Sequence, residues 1–187
     1  MDAPEFVADA FERVKALLEK SLPGLTPEQL CLQPSPDTNP IGWLCWHLTR
    51  VQDDHVSNLA GREQAWTSKG WHLKFDLPKD PSDYGTGDSI ERVRGFKAPD
   101  VQTLLAYYND VHRRTQEYLA GLTPKGMDVP VNDDRWQPPP SVGVRLVSVV
   151  GDNTQHAGQI AYLRGYISGL GWSRHKAEGS KPYNAKE

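Results

Sequence analysis

The chain has 187 residues, of which 21 are Lys or Arg and 24 are Asp or Glu, giving a formal net charge of −3. This length favours one domain with a substantial core, and an acidic balance without a dense basic run argues against nucleic acid as a partner. Two isolated cysteines, no basic-then-apolar leader and no apolar run of membrane-spanning length predict a cytoplasmic protein without membrane contact.

The first part of the chain predicts two long helices with a short one between them. Apolar residues recur at helical spacing from Pro4 to Leu22, and Pro23-Gly24 ends this amphipathic helix. The segment Thr26-Pro27-Glu28-Gln29 has the N-cap, the N1 proline and the N3 glutamine of a short helix. The second long helix spans Ile41 to Gly61 and is densest in apolar residues at its start.

The middle of the chain predicts two irregular crossings around a third long helix. Residues Arg62 to Pro99 show no sustained periodicity, apart from a short helix near Ser89 to Val93. Because so long a loop in a compact domain is usually functional, we expect it to border a pocket. Asp100 caps the third helix, Gly121 closes it, and Pro124 to Pro140 forms the second crossing.

A fourth long helix begins after its N-cap Ser141 and stops at Gly169 and Gly171. Glycines recur every seven residues along it, which predicts a bare edge that a neighbouring helix approaches closely: Gly151, Gly158 and Gly165. The sequence therefore predicts an all-α four-helix bundle with long irregular crossovers. We expect the bundle domain to span residues 1–172 and a polar C-terminal tail to span 173–187.

Three side chains form a candidate metal site. Asp152 and His156 lie one turn apart on the fourth helix, and Gln159 continues the same stripe. His47 lies in the most apolar part of the second helix, where a core histidine bonded to a carbonyl or carboxylate is the alternative. Together His47, Asp152 and His156 offer two nitrogens and one oxygen, the count of an open catalytic site. Neither HExxH, paired ExxH, GxSxG nor a phosphate-binding glycine loop competes with them.

The remaining histidines and Cys45 are given ordinary roles. We predict that His72 and His175 lie on the surface, that His112 is solvated, and that His55 is a reserve ligand two turns beyond the cluster residue of its helix. Cys45 is predicted to pack in the core. The tryptophans either line an apolar pocket or fill the core, and core packing is favoured for each: Trp43, Trp46, Trp66, Trp71, Trp136 and Trp172.

Two segments carry a resemblance to a known family. Trp46-His47-Leu48-Thr49 and the stretch from Asp152 to Ile160 resemble the DinB/YfiT-like superfamily, over roughly residues 5–170. This superfamily includes thiol-dependent S-transferases and the N-terminal domain of mycothiol-dependent maleylpyruvate isomerase. The resemblance implies a four-helix bundle with a divalent metal held by His47, Asp152 and His156. The sequence departs at Asp152, where most relatives have histidine and the maleylpyruvate isomerase branch has glutamate.

The resemblance also implies a function. We expect a metal-dependent transferase in which the metal holds a low-molecular-weight thiol as thiolate beside an organic electrophile. Zinc is the first expectation for the metal and nickel the second. Mycothiol is the expected thiol, because the stretch around His47 resembles actinobacterial sequences. Arg50, Asp54 and Gln159 are expected to bind the thiol cofactor.

Two alternatives stay open at this point. One is a non-catalytic, stress-related metal-binding bundle, and the other is a metal-dependent hydrolase on the same scaffold. The expected partners are a small-molecule thiol and an electrophile, and a homodimer is kept as an alternative to a monomer.

Overall fold

The computed structural model describes residues 1–133 and 135–173, and within them every regular element is helical. This confirms the predicted all-α class. The predicted tail, apart from Ser173, and His175 within it lie outside the described residues, so the domain boundary stays a prediction. Four long helices and four short ones follow one another: α1 Ala3–Ser21, α2 Pro27–Leu30, α3 Ile41–Leu59, α4 Ala65–Ser68, α5 Trp71–Lys74, α6 Ile90–Gly95, α7 Val101–Ala120 and α8 Val142–Ser168. Two 3₁₀-helices are Pro124–Asp128 and Leu170–Ser173.

Side-chain caps fix where most of these helices begin. The oxygen of each cap residue accepts a hydrogen bond from the backbone N–H three residues later, which satisfies a donor that the helix leaves unpaired. The predicted caps Thr26, Asp100 and Ser141 are confirmed. Asp2 adds a capping box with Glu5 at the start of α1.

The four long helices form a closed bundle. Each packs against two others, in the cyclic order α1, α8, α3, α7. Trp43, Trp46 and Trp66 are buried, as the sequence predicted for tryptophans, and Cys45 is buried with them. Trp136 instead remains about half exposed. No helix in the described part of the chain is both long and apolar enough to cross a membrane.

The glycine edge of α8 does not face a neighbouring helix. A Cβ atom added at Gly151 or Gly158 would meet nothing within 4 Å, and at Gly165 it would lie 3.2 Å from Trp172 in the segment just after the same helix. The predicted close helix approach is therefore wrong. The opposite side of α8 enters the bundle instead, through Leu146, Val149, Asn153, Ala157 and Ile160.

The crossing between α3 and α7 is anchored by buried polar groups. The Asp53 carboxylate of α3 accepts hydrogen bonds from the backbone N–H groups of Ala65, at 2.9 Å, and Trp66, at 2.8 Å. It also accepts the hydroxyl of Tyr107 from α7 at 3.0 Å and that of Ser57 at 3.2 Å. One carboxylate thus joins α3, α4 and α7.

We expect Asp53→Asn to lower the free energy of unfolding by about 3 kcal/mol, because an amide cannot accept these four donors with one oxygen. Urea denaturation followed by circular dichroism measures the free energy of unfolding. Asp9→Asn is the matched control, since Asp9 is exposed in its pair with Arg13, and its effect should stay within about 0.5 kcal/mol. Equal effects of the two substitutions would contradict the anchoring role.

Candidate metal centre

The structure brings the three predicted ligand residues together between α3 and α8. The ligand atoms of His47, Asp152 and His156 all lie within 4.8 Å of one another. Oδ1 of Asp152 is 3.9 Å from Nε2 of His47 and 3.5 Å from Nε2 of His156. Because α8 places Asp152 and His156 one turn apart and packs directly on α3, the bundle itself creates this cluster.

Hydrogen bonds set the tautomer of both histidines. Nδ1 of His47 contacts the backbone carbonyl of Tyr84, and Nδ1 of His156 lies 2.8 Å from Oε1 of Gln159. Both partners are acceptors, so each Nδ1 carries the hydrogen and each Nε2 keeps its lone pair. This is the arrangement of metal-binding histidines, whose second nitrogen donates to an oxygen.

The cluster brings several electron-pair donors close together. Two Nε2 lone pairs and the carboxylate of Asp152 converge, and Oδ2 of Asp152 is buried without a hydrogen-bond partner. Buried polar atoms are rarely left unpaired, because their desolvation is then uncompensated. A cation at the centre would satisfy all three groups, so the residues present fit a divalent metal.

The two histidines differ in their proton affinity. Burial lowers the pKa of His47, although the Tyr84 carbonyl and the charge of Asp152 oppose this. Burial also acts to lower the pKa of His156, but its contacts with Asp152 and Gln159 outweigh this and raise the pKa. His47 is therefore neutral near pH 7, whereas His156 is where a proton competes most strongly with a metal ion.

The 62–99 crossing holds His47 in place. The Trp43 indole stacks on the His47 ring, with centroids 4.8 Å apart and planes inclined by 8°, and its Nε1 donates to Asp88 at 3.1 Å. The Tyr84 carbonyl fixes the other side of the ring. Sequence reasoning predicted that this crossing borders a pocket but missed Tyr84, because a backbone carbonyl leaves no side-chain signal.

Gly85 allows the crossing to approach this closely. Its φ is +83°, and a Cβ atom there would lie 2.7 Å from the Trp46 ring, 2.9 Å from the Trp43 ring and 3.3 Å from Nδ1 of His47. A glycine is therefore required both by the backbone conformation and by the space.

Two of the three predicted cofactor-binding residues do not face the cluster. Arg50 is fully buried, and its guanidinium donates to the carbonyls of Asp83, at 2.9 Å, and Pro81, at 3.0 Å. Asp54 is also buried and accepts from Arg135 at 2.8 Å. The prediction that Arg50 and Asp54 contact a cofactor is corrected accordingly, because loops cover α3 beyond the cluster.

Gln159 does contact the cluster, through its hydrogen bond to His156. It also lines a cavity of about 680 Å³ together with Leu44, which lies one turn before His47. The other lining residues come from the segment before α3 and from the second half of α8. The cavity therefore lies next to the cluster, and Gln159 belongs to both.

Three other histidines have structural surroundings that the sequence did not reveal. His112 is buried between α7 and α1, with Nε2 2.9 Å from a carboxylate oxygen of Glu12, so the prediction that it is solvated is wrong. His72 is buried against the carbonyl of Trp66, at 3.0 Å, and is not a surface residue. His55 lies 2.7 Å from a guanidinium nitrogen of Arg145, away from the cluster. Burial lowers the pKa of His55 to about 4, so it accepts this hydrogen bond as a neutral ring.

Comparisons with known proteins identify the family to which the chain belongs. A model of the DinB superfamily matches residues 10–160, a range that contains all three cluster residues. The chain belongs to the DinB superfamily. This confirms the resemblance carried by the segments around His47 and His156.

A solved structure agrees with this membership. The DinB-superfamily chain is similar to a conserved protein from Enterococcus faecalis, with a TM-score of 0.79 and 27% sequence identity. The similarity covers 89% of this chain and 98% of the other. No curated protein matches the sequence. The solved structure thus agrees with the fold, and the superfamily model shows the family.

We expect Gly85→Ala to weaken Zn²⁺ binding by about 10- to 100-fold, because the added methyl group displaces the carbonyl that orients His47. Gly87→Ala is the matched control: its φ is +82°, but a Cβ atom there meets nothing within 4 Å. Competition titration with a chromogenic chelator measures both affinities. Equal losses would attribute the effect to backbone conformation alone and not to the contact with His47.

Proposed function

We propose that this protein is a metal-dependent transferase that uses a low-molecular-weight thiol. The observation that carries the proposal is the convergence of two Nε2 lone pairs and one carboxylate beside a cavity of ligand size. Among the described residues the group contains three ligands, one fewer than the four of a closed structural zinc site. A position therefore remains for a substrate atom.

The donor set favours zinc, with nickel as the second choice. Imidazole and carboxylate ligands suit borderline divalent metals, and two neutral histidines with one carboxylate give a loaded site of about +1 charge. A metal bound there would lower the pKa of a coordinated thiol from its usual value of about 8.5.

The residues of the chain have separate tasks in this proposal. His47 is clamped by Trp43 and the Tyr84 carbonyl, so its Nε2 keeps one direction. The carboxylate of Asp152 supplies the negative charge that lowers the net charge of the metal-loaded site to about +1. The ring of His156 is held by Gln159, which also lines the cavity.

The proposed reaction transfers the thiol sulfur to an electrophilic carbon. A new S–C bond forms with the electron pair of the thiolate, and the bond from that carbon to its leaving group breaks. The leaving group departs with the bonding pair, and the thiol proton passes to solvent. No oxidant or reductant is needed.

Metal binding can be tested residue by residue. We expect His47→Ala and His156→Ala each to abolish tight Zn²⁺ binding while the fold is kept, because two remaining ligands are too few for an open site. Asp152→His should retain the metal, whereas Asp152→Ala should lose most of it. Elemental analysis after dialysis measures occupancy, and circular dichroism checks the fold.

His55→Asn is the control for the metal measurements, since asparagine keeps an acceptor for Arg145 and His55 lies outside the cluster. Its occupancy should equal that of the parent. Full occupancy in His47→Ala or His156→Ala would remove that residue from the ligand set.

The activity is tested by turnover of a generic electrophile with mycothiol, bacillithiol, glutathione or no thiol, each with and without added zinc or nickel. We expect turnover that requires both a thiol and a metal and that is absent in His47→Ala. Thiol-independent turnover would instead indicate a hydrolase. The absence of turnover under every condition would contradict an enzymatic role and favour a metal-binding bundle.

A further inference from the structure

A second, smaller pocket lies between α3 and α8 and shares no residue with the metal cluster or with the larger cavity. Its volume is about 150 Å³. It is lined by residues of α3, of the crossing before α8 and of the first turns of α8: His55, Trp136, Pro140, Val144, Arg145 and Ser148. We call it the Arg145 pocket.

Arg145 is the buried charge of this pocket. Its side chain is 2% exposed, and its Nη1 donates to Nδ1 of His55 at 2.7 Å and to Oδ2 of Asp133 at 3.1 Å. Its Nη2 is buried without a hydrogen-bond partner. A buried charged donor that stays unpaired is costly, because its lost hydration is not replaced. Arg145 therefore has the capacity to donate to one further acceptor.

His55 supplies a second unused donor. Because a guanidinium only donates, Nδ1 of His55 accepts from Arg145, and the hydrogen of the neutral ring lies on Nε2. Within the part of the chain that the structure describes, no hydrogen bond uses this Nε2. Two N–H donors, one charged and one neutral, thus belong to residues of the same pocket, and a carboxylate has two oxygens that can accept from them.

The neighbouring carboxylates neutralise Arg145 only in part. Asp133 makes its shorter contacts, at 2.8 and 2.9 Å, with Arg135. Arg135 also pairs with Asp54 at 2.8 Å, so it engages both carboxylates, whereas Arg145 shares one of them through a single 3.1 Å contact. One negative charge can therefore be accommodated beside Arg145. A group with a larger negative charge would be repelled by Asp133.

The remaining lining is apolar and leaves little room. The Trp136 ring lies over the Arg145 guanidinium, with its centroid 5.0 Å from Cζ, and Pro140 and Val144 border the same space. A volume of about 150 Å³ equals that of about five water molecules at about 30 Å³ each. This is enough for a carboxylate with a short hydrocarbon part, and too little for a whole cofactor.

We propose that the Arg145 pocket binds the carboxylate of a small organic acid, which accepts hydrogen bonds from Nη2 of Arg145 and Nε2 of His55. The site is separate from the metal centre. Arg145 lies seven residues before Asp152 on α8, and His55 lies eight residues after His47 on α3, which corresponds to about 10–12 Å along either helix. The proposal therefore goes beyond the transferase function and does not depend on it.

The test is an NMR titration of the full-length protein at constant ionic strength, in which the indole N–H signal of Trp136 is followed. The probes are propionate, propionamide, which has the same size without the charge, and inorganic phosphate, which carries a larger negative charge. We expect a saturable shift with propionate at a Kd on the order of 1 mM, and binding at least about tenfold weaker for the other two probes. Absence of saturation by propionate, equal affinity for propionamide, or tighter binding of phosphate would each overturn the proposal.

Chelator treatment separates this site from the metal cluster. Propionate should bind with the same Kd before and after metal is removed, because the pocket contains none of the cluster residues. A Kd that is measurable only with the metal present would show that propionate binds at the cluster, and would overturn the proposal.

Two valines of α8 provide a matched pair of variants. Val144 lines the pocket and is 60% exposed, whereas Val147 is 63% exposed and does not line it. Val144→Phe should fill the pocket and weaken propionate binding by at least about tenfold, and Val147→Phe should change it by less than about twofold. Zn²⁺ affinity should be unchanged in both. Equal propionate affinities of the two variants would show that the ligand lies elsewhere.

Arg145→Gln tests the need for the charge. Glutamine can still donate a hydrogen bond to Asp133 or His55, but it is neutral, so the affinity for propionate should fall to that for propionamide. Circular dichroism checks the fold of this variant, and the valine pair decides the question if Arg145→Gln does not fold. Undiminished propionate binding to folded Arg145→Gln would contradict the proposed recognition.

Discussion

The buried guanidinium of Arg50 is the group on which the arrangement of the site depends. It is fully removed from water, at a cost of several kcal/mol that only close partners can offset. Those partners include the Pro81 and Asp83 carbonyls, the Asp53 carboxylate at 3.7 Å, and the Trp66 ring, whose centroid is 4.7 Å from Cζ. By holding the two carbonyls, Arg50 fixes the chain immediately before Tyr84.

This anchoring also determines how His47 is oriented in the cluster. With residues 81–83 fixed, the Tyr84 carbonyl meets Nδ1 of His47, and Gly85 lets the backbone lie against the tryptophan rings. His47 therefore presents Nε2 in one tautomer and one direction before any ion arrives. Arg50 thus acts on the site through the backbone, whereas the sequence had suggested a direct contact with a cofactor.

Electrostatic conflict is the second feature that shapes the site. Unprotonated Nε2 atoms and a carboxylate repel one another unless a cation lies between them, and the raised pKa of His156 shows that a proton is one such cation. A divalent ion would replace that proton and also pair the buried Oδ2 of Asp152. The packing of α3 on α8 thus holds these electron-pair donors close together although they repel one another.

The sequence predicted those features that depend on local periodicity. The caps at Thr26, Asp100 and Ser141 and the one-turn spacing of Asp152 and His156 follow from helix geometry alone, and the structure contains them. The predictions that failed concern which face of a helix is covered by neighbouring elements. Charged neighbours made His112 look solvated, and yet α1 packs over it.

The same limit explains two further errors. A glycine every seven residues fits a close helix contact and an open surface equally well, and only the packing of α8 distinguishes them. Arg50 lies one turn beyond His47 on α3, which in the sequence points to a ligand-binding role. Its guanidinium instead donates to two backbone carbonyls more than thirty residues away, which no spacing rule identifies.

Gln159 joins the two halves of the site through one side chain. Its carbonyl oxygen sets the tautomer of His156, and the same side chain lines the cavity. A ligand that accepts a hydrogen bond from this amide polarises it, which strengthens the bond between its oxygen and Nδ1 of His156. The imidazole then becomes a stronger electron-pair donor to a metal at Nε2. Occupation of the cavity and the electron density at the cluster are therefore linked by the direction of one amide group.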